Sequence, residues 1–277
     1  MEERAFLIDC GEGTQVQLRK AKARFSKINH IFISHLHGDH CFGLPGLIAS
    51  FRLLGRDMPL HVYGPKGIKK MMETIFTLTE THRGFEVIYH ELESKDSEKI
   101  YEDNRVEVFT IPLDHRIYCN GYLFREKPKE RHLNIEEVSK YPEIETCDYQ
   151  NLKNGKDYIL SDGYVLKNEI LTNDPSKSVS YAFCSDTRYL ETVIPIIENV
   201  DVLYHEATFL HELKEMADYT GHTTALEAAQ IAKKANVGKL ILGHFSNRYH
   251  DYSVFTDEAR AIFPNTFLPK ALEPVKI

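Results

Sequence analysis

The apolar run Ile31-Phe32-Ile33 leads into the hexad His35-Leu36-His37-Gly38-Asp39-His40. Four of these six residues carry metal-binding side chains, and the β-branched run before them is typical of a buried strand. In α/β folds, ligands gather outside the carboxyl ends of strands. Imidazole and carboxylate groups together suit zinc, although Mn²⁺ or Fe²⁺ would also accept them. The hexad therefore predicts a metal site at a strand end.

The composition is that of an ordinary globular protein. The chain has 277 residues, of which 42% are apolar and 27% charged, so it is not disordered. Its net charge of −7 argues against a DNA-binding protein, because such binding depends on cations that neutralise phosphates. No apolar run approaches the roughly 18 residues of a membrane span. Five cysteines without close pairing, and an N-terminus unlike a signal peptide, predict a cytoplasmic protein.

Apolar runs alternate with amphipathic stretches along the chain, which is typical of an α/β fold. The runs cover residues 6–8, 30–33, 60–63, 106–111, 179–184, 202–204 and 239–243. Helices are predicted at about 43–55, 66–79, 190–198, 224–236 and 255–263, and Thr224 with Glu227 has the pattern of a capping box. Residues 121–178 are polar and weakly periodic, and they predict an inserted arm or, alternatively, a separate small subdomain.

Three further candidate ligands also follow apolar runs. They are His115, Asp186 and His244. Each of them alone is as compatible with a cap or a solvated turn as with ligation. Together with the hexad they supply enough ligands for two metals with a shared carboxylate, an arrangement that can stabilise attacking and leaving oxygens at once.

Two other residues suggest acid–base chemistry. Glu206 ends the apolar run at 202–204, and His222 lies just before the capping box at Thr224. A carboxylate paired with an imidazole can orient it as a general acid. The alternative is that Glu206 caps a turn and His222 is a surface residue.

These motifs resemble the metallo-β-lactamase superfamily and, within it, the ribonuclease Z family. The superfamily motif HxHxDH is present in full at residues 35–40. The segments that resemble ribonuclease Z occur in the family's order, and they are Asp9-Cys10-Gly11-Glu12-Gly13-Thr14-Gln15, Gly43-Leu44-Pro45-Gly46-Leu47, Tyr63-Gly64-Pro65-Lys66-Gly67, His115 with Gly121-Tyr122, Ser185-Asp186-Thr187-Arg188, His205-Glu206-Ala207-Thr208-Phe209, His222-Thr223-Thr224 and His244-Phe245-Ser246-Asn247-Arg248-Tyr249.

The resemblance implies an αββα sandwich with two Zn²⁺ at one edge of the sheets. One zinc would take His35, His37 and His115, the other Asp39, His40 and His244, and Asp186 would bridge them. The resemblance also implies that Asp39 accepts the proton of the attacking water. Glu206 and His222 match the pair that protonates the leaving 3′ oxygen.

By the same resemblance, the substrate is precursor tRNA. The family removes the 3′ trailer, leaving a 3′ hydroxyl on the tRNA and a 5′ phosphate on the trailer, and it acts as a homodimer whose arm grips the tRNA. The candidate substrate-binding residues here are Arg248 and, in the predicted arm, Arg125, Lys127, Lys129 and Arg131. The arm cations alternate with Glu126 and Glu130, so a solvated strand edge is an equally good interpretation of that run.

The sequence departs from the family at its start. Ribonuclease Z normally has a strand and a Gly-rich turn before the segment that begins at Asp9, and this sequence starts after that point. We therefore expect a single domain over residues 1–277 that lacks the usual N-terminal strand segment, with the arm at 121–178 inserted in it.

Other functions share some of these features. A dimetal phosphodiesterase for small phosphodiesters would use the same ligands. A glyoxalase II-like thioesterase would need a helical domain that the roughly 30 residues after His244 cannot form. A non-catalytic tRNA-binding subunit would not need the complete ligand set. A structural zinc site would usually be rich in cysteine, whereas none of the candidate ligands here is a cysteine.

Overall fold

The computed structural model of the chain describes residues 5–82 and 84–275. Within these residues the strands are β1 (Ala5–Ile8), β2 (Ile28–Phe32), β3 (Leu60–Pro65), β4 (Val87–Leu92), β5 (Lys99–Glu102), β6 (Val106–Leu113), β7 (Cys119–Glu126), β8 (His132–Leu133), β9 (Tyr158–Ile159), β10 (Val165–Leu166), β11 (Thr172–Asn173), β12 (Ser180–Cys184), β13 (Val202–Glu206), β14 (Lys239–Gly243) and β15 (Thr266–Phe267).

The α-helices of the same residues are short and lie mostly between strands. They are α1 (Thr14–Lys20), α2 (Gly38–Cys41), α3 (Leu44–Leu53), α4 (Ile68–Leu78), α5 (Ile135–Val138), α6 (Tyr149–Lys153), α7 (Asn168–Leu171), α8 (Lys214–Thr220), α9 (Ala225–Lys234) and α10 (Ser253–Arg260). Single 3₁₀ turns occur at Phe25–Lys27, Glu191–Val193 and His211–Leu213. No helix in the described residues is long and apolar enough to cross a membrane.

The chain forms two compact units. The first comprises the described residues up to Tyr101, Val108–Phe124 and those from Ser180 onward. Its first sheet has the order β1-β2-β3-β4 with parallel pairing throughout, and its second has the order β15-β14-β13-β12-β7-β6-β5. Strand β2 buries Ile31 in an apolar cluster with residues of α3 and α4, and β13 buries Leu203 in a cluster with the alanines of α9.

An aromatic layer fills the space between the two sheets. Phe32 of β2 lies 5.2 Å from Tyr122 and 5.4 Å from Phe124 of β7, measured between ring centroids. The hydroxyl of Tyr122 donates to the carbonyl of Ile33 at 2.6 Å. Because alternate residues of a strand point to opposite faces, each sheet packs helices on one side and its partner sheet on the other. The layers of this unit are therefore helix, sheet, sheet and helix, as the resemblance to the metallo-β-lactamase superfamily implies.

Helix α9 begins where its capping box predicts. The side chain of Thr224 accepts from the backbone N–H of Glu227, and the Glu227 carboxylate accepts from the backbone N–H of Thr224. The prediction of a helix at 190–198 is wrong, because this segment forms only the 3₁₀ turn Glu191–Val193 and further turns after it. Pro195 lies in the middle of that segment, where it removes a backbone donor and disfavours the helical conformation of the residue before it.

The second unit comprises Glu102–Glu107 and Arg125–Val179. It has a small apolar core of its own, formed by Val138, Ile144, Leu152, Leu166 and Leu171. Strands β8 and β11 pair antiparallel, as do β9 and β10. Residues 125–178 of the predicted arm lie in this unit, whereas residues 121–124 belong to β7 of the first unit.

A histidine pair on the first sheet predicts an acid-sensitive contact. Nδ1 of His61 lies 3.0 Å from Nε2 of His90, and His90 stacks on Tyr63. One ring must donate and the other accept, so the contact is lost when both are protonated. Burial lowers the pKa of both imidazoles. The unfolded chain therefore binds protons more readily than the folded chain does. The stability that the His61–His90 contact contributes is complete above about pH 6.5, and it is lost as the pH falls through the lowered pKa values of the folded protein.

We expect His90→Phe, which keeps a ring beside Tyr63, to lose part of the acid sensitivity of the wild-type protein. Between about pH 7.5 and about pH 5.5, the Tm of the wild type should fall further than that of the variant. The difference should be roughly 2 °C, for a hydrogen bond worth about 1 kcal/mol. Calorimetry at both pH values measures it, and equal decreases in Tm would contradict it.

Candidate metal centre

The residues of the predicted metal site come from the carboxyl ends of different strands. The hexad follows β2 and runs into α2, and His115 follows β6. Asp186 follows β12 and His244 follows β14, which are parallel neighbours of β13. Because parallel strands end at one edge of a sheet, residues far apart in the sequence meet there. The structure brings all seven predicted ligands together.

The first group of ligands consists of three histidines. Nε2 of His35 lies 2.9 Å from Nδ1 of His37, and Nε2 of His115 lies 3.3 Å from the same atom. Nitrogens bound at about 2.05 Å in a tetrahedral zinc site lie about 3.3 Å apart, so this spacing fits a shared cation. Burial, followed by the neighbouring His40, lowers the pKa of His35 to about 3. His35 is therefore neutral, which is the form that binds metals.

The second group consists of Asp39, His40 and His244. Asp186 lies between the two groups. Its Oδ1 is 3.3 Å from Nε2 of His40 and 3.4 Å from Nε2 of His244, while its Oδ2 is 3.7 Å from Nε2 of His35. Burial opposes ionisation of Asp186, but His244 and His40 outweigh it and lower its pKa. One carboxylate thus presents one oxygen to each group.

His40 supplies a direct test of whether a metal fits. Its Nδ1 donates to Oδ2 of Asp9 at 2.7 Å, and its Nε2 is buried without a hydrogen-bond partner. An unsatisfied buried nitrogen is costly in a native protein unless a ligand completes it. Nε2 lies 3.4 Å from Oδ2 of Asp39, so a cation between them would satisfy both. The donor set therefore fits a divalent metal.

The far nitrogens of the ligand histidines are held by groups from distant parts of the chain. Besides the Asp9 contact, Nδ1 of His115 donates to the carbonyl of Gly221 at 2.8 Å, and Nδ1 of His244 lies 2.9 Å from Oγ1 of Thr208. Such contacts fix the tautomer and orientation of a metal-binding imidazole. The sequence predicts no role for Asp9, Gly221 or Thr208, although Asp9 and Thr208 lie within the motifs that resemble ribonuclease Z.

Glu206 and His222 form the predicted pair. Nδ1 of His222 donates to Oε1 of Glu206 at 2.8 Å, and Glu206 is fully buried. The carboxylate also accepts from the backbone N–H groups of Thr187 and Thr208, both at 3.0 Å. Burial opposes its ionisation, but the hydrogen bond from His222 outweighs this and lowers the pKa of Glu206. An ionised, fixed carboxylate therefore orients His222.

An open cavity of about 290 Å³ lies over these groups. It is lined by His37, Asp39, His115, Arg116, Asp186, Thr220, His222 and His244. Arg116 and Thr220 are the two lining residues that the sequence does not predict. A larger groove of about 580 Å³ beside α4, lined by residues such as Lys66 and Glu73, contains none of the predicted ligands.

The predicted substrate-binding cations lie elsewhere. Arg248 is exposed, with its guanidinium 6.0 Å from the centre of the Phe209 ring. Arg125, Lys127, Lys129 and Arg131 belong to the second unit. Carboxylates of that unit pair with these cations, Glu102 with Lys127, Glu126 with Lys129 and Asp174 with Arg131. These ion pairs favour the solvated strand edge, and contact with RNA stays a prediction.

Comparison with known proteins identifies the family. A family model described as anti-Pycsar protein Apyc1 matches residues 1–75. Ribonuclease Z from Bacteroides thetaiotaomicron is 46% identical over 270 residues, which cover 98% of this chain and 85% of the relative. The short form of human tRNase Z has a TM-score of 0.69 at 24% identity, covering 99% of this chain and 88% of that one. The metallo-β-lactamase fold protein YhfI from Bacillus subtilis has a TM-score of 0.65 at 19% identity, covering 97% and 85%.

The two solved structures confirm the predicted fold. The Bacteroides relative is similar in sequence over nearly the whole chain. The chain belongs to the ribonuclease Z family.

Proposed function

We propose that the chain is a metal-dependent endoribonuclease that removes the 3′ trailer from precursor tRNA. The observation that carries this proposal is the Glu206–His222 pair beside the two ligand groups. Ligands alone would serve many hydrolases. An imidazole fixed by a buried carboxylate at the same cavity adds a proton donor, which a poor leaving group such as a ribose 3′ oxygen needs.

The donor set favours two zinc ions. His35, His37 and His115 would hold one, Asp39, His40 and His244 the other, and Asp186 both. Bound there, the ions would neutralise the charge that develops on the phosphate and lower the pKa of the attacking water. Manganese or Fe²⁺ would accept the same nitrogen and oxygen ligands.

The protein's own residues would then manage the protons. The hydrogen bond with His244 holds the pKa of Asp39 well below its usual range, and its side chain is 66% exposed, so Asp39 is an ionised carboxylate open to the cavity. Asp39 accepts a proton as water attacks phosphorus. The bond from phosphorus to the tRNA 3′ oxygen breaks, and His222 gives that oxygen a proton. The products are a 3′ hydroxyl on the tRNA and a 5′ phosphate on the trailer.

The rest of the assignment rests on family resemblance and composition. We propose a cytoplasmic homodimer that acts on tRNA rather than DNA. Residues 121–178, with Arg125, Lys127, Lys129 and Arg131, would bind substrate, as would Arg248, which follows β14 in the sequence. The free cysteines of the described residues agree with a reducing compartment.

The test is cleavage of a labelled precursor tRNA that carries a 3′ trailer, with and without a chelator. We expect one cut that leaves a 3′ hydroxyl, loss of the cut with chelator, and recovery with Zn²⁺. Hydrolysis of an aryl phosphodiester without tRNA cleavage would support the small-molecule phosphodiesterase instead. Tight binding of precursor tRNA by a protein without metal would support the non-catalytic subunit.

A further inference from the structure

Arg116 is the one arginine or lysine among the described residues that line the active-site cavity. Its side chain is exposed, and none of the ion pairs found among the described residues includes it. Nearby Arg188 differs, because its guanidinium lies 3.2 Å from Asp114 and donates to the carbonyl of Asp218. Arg188 is thus held by the protein's own groups, whereas the charge of Arg116 is available to a substrate.

Arg116 lies on the same side of the cavity as His222. The hydrogen bond from His115 to the Gly221 carbonyl joins the two segments that carry them. A methyl group at Gly221 would lie 3.6 Å from Cγ of Arg116, so the arginine stem passes over this glycine. Gly221 directly precedes His222, so the stem of the Arg116 side chain lies beside the proposed proton donor.

This placement assigns Arg116 to the tRNA side of the cut. The proton of His222 goes to the 3′ oxygen of the last tRNA nucleotide, so that nucleotide lies next to His222. The phosphate on its 5′ side is the first charged group along the tRNA from the bond that breaks. A guanidinium offers a planar pair of donors that matches two phosphate oxygens.

We propose that Arg116 binds the phosphate on the 5′ side of the last tRNA nucleotide, one nucleotide before the scissile phosphate. The inference rests on the proposed function and deepens it. Arg116 would select polynucleotides over small phosphodiesters, because a small diester has the scissile phosphate and lacks the preceding one. The ligand groups would bind the scissile phosphate of both kinds of substrate.

The test compares the metal-loaded wild type with the metal-loaded variant Arg116→Gln on three substrates. Lys233→Gln, which removes one exposed charge on α9, is the matched control. The substrates are precursor tRNA, the same RNA with an uncharged methylphosphonate at the proposed phosphate, and bis(p-nitrophenyl) phosphate. We expect Arg116→Gln to lower kcat/KM on precursor tRNA about 10- to 100-fold, as for a lost hydrogen bond to a charged group. Its rate on the aryl diester and its metal content should match the wild type, and Lys233→Gln should match the wild type on all three substrates.

The methylphosphonate gives an independent readout. The methylphosphonate should slow RNA cleavage by the wild type by a similar factor, and it should not slow cleavage by Arg116→Gln any further. Arg116→Lys keeps the charge without the planar fork, so its rate on precursor tRNA should lie between those of the wild type and Arg116→Gln. Equal cleavage of precursor tRNA by Arg116→Gln and wild type overturns the inference while the proposed function stands. An equal loss on the aryl diester also overturns it, since Arg116 would then serve the scissile phosphate or the fold. If the wild type cuts no precursor tRNA, the proposed function itself fails, and the inference with it.

Discussion

Asp186→Asn should strongly slow trailer cleavage and reduce the metal content of the protein. The two carboxylate oxygens of Asp186 face different ligand groups, at 3.3 Å from His40 and 3.7 Å from His35. Asparagine has nearly the same shape, but it offers one oxygen and no charge, so it cannot serve both groups. Stabilisation by metal ions is worth several kcal/mol, so we expect a loss on the order of 10³-fold or more. Asp186→Ala should lose all cleavage.

Two measurements on the same preparations check this result. Elemental analysis gives the metal content of each protein, and the precursor tRNA assay gives its rate. Asp96→Asn, at an exposed loop position, is the matched control and should keep both. An Asp186→Asn protein with full metal content and an undiminished rate would show that Asp186 is not the shared ligand.

His222→Ala should slow cleavage of precursor tRNA by about 10²- to 10⁴-fold, the usual contribution of general acid–base catalysis. Its metal content should stay that of the wild type. His222 does lie near two predicted ligands, and its Nδ1 is 4.0 Å from Asp186. The same nitrogen is only 2.8 Å from Glu206, however, and this shorter contact makes it a donor to the carboxylate rather than a metal ligand.

A substrate with a better leaving group separates proton delivery from a structural role. A p-nitrophenyl phosphodiester releases a stable anion and needs no acid, so His222→Ala should hydrolyse it almost as fast as the wild type does. Glu206→Gln should show the same selective loss, because it removes the charge that orients His222. His250→Ala, at an exposed position, is the control. A uniform loss on both substrates, or a loss of metal, would reject the role of His222 as general acid.

Local sequence features predicted much of this molecule. The apolar runs became β1, β2, β3, β6, β12, β13 and β14, and the capping box at Thr224 begins α9. The comparisons confirm the family, the fold and the class of enzyme that the motifs indicated. Each of these signals lies within a few consecutive residues, where backbone propensity and the alternation of apolar and polar residues act directly. The helix predicted at 190–198 failed because one proline outweighed the apolar periodicity.

The order of residues along the chain thus sets which residue types stand at the strand ends and which family the protein belongs to. What holds those residues in place, and which charges remain available to a substrate, depends on how distant segments pack. Asp9 reaches His40 across 31 residues of sequence, and Gly221 reaches His115 across 106. The tertiary structure likewise shows that cations of the arm have carboxylate partners, whereas Arg116 lines the cavity. Hydrogen bonds and ion pairs between distant segments depend on chain packing, and no local pattern of residues records them.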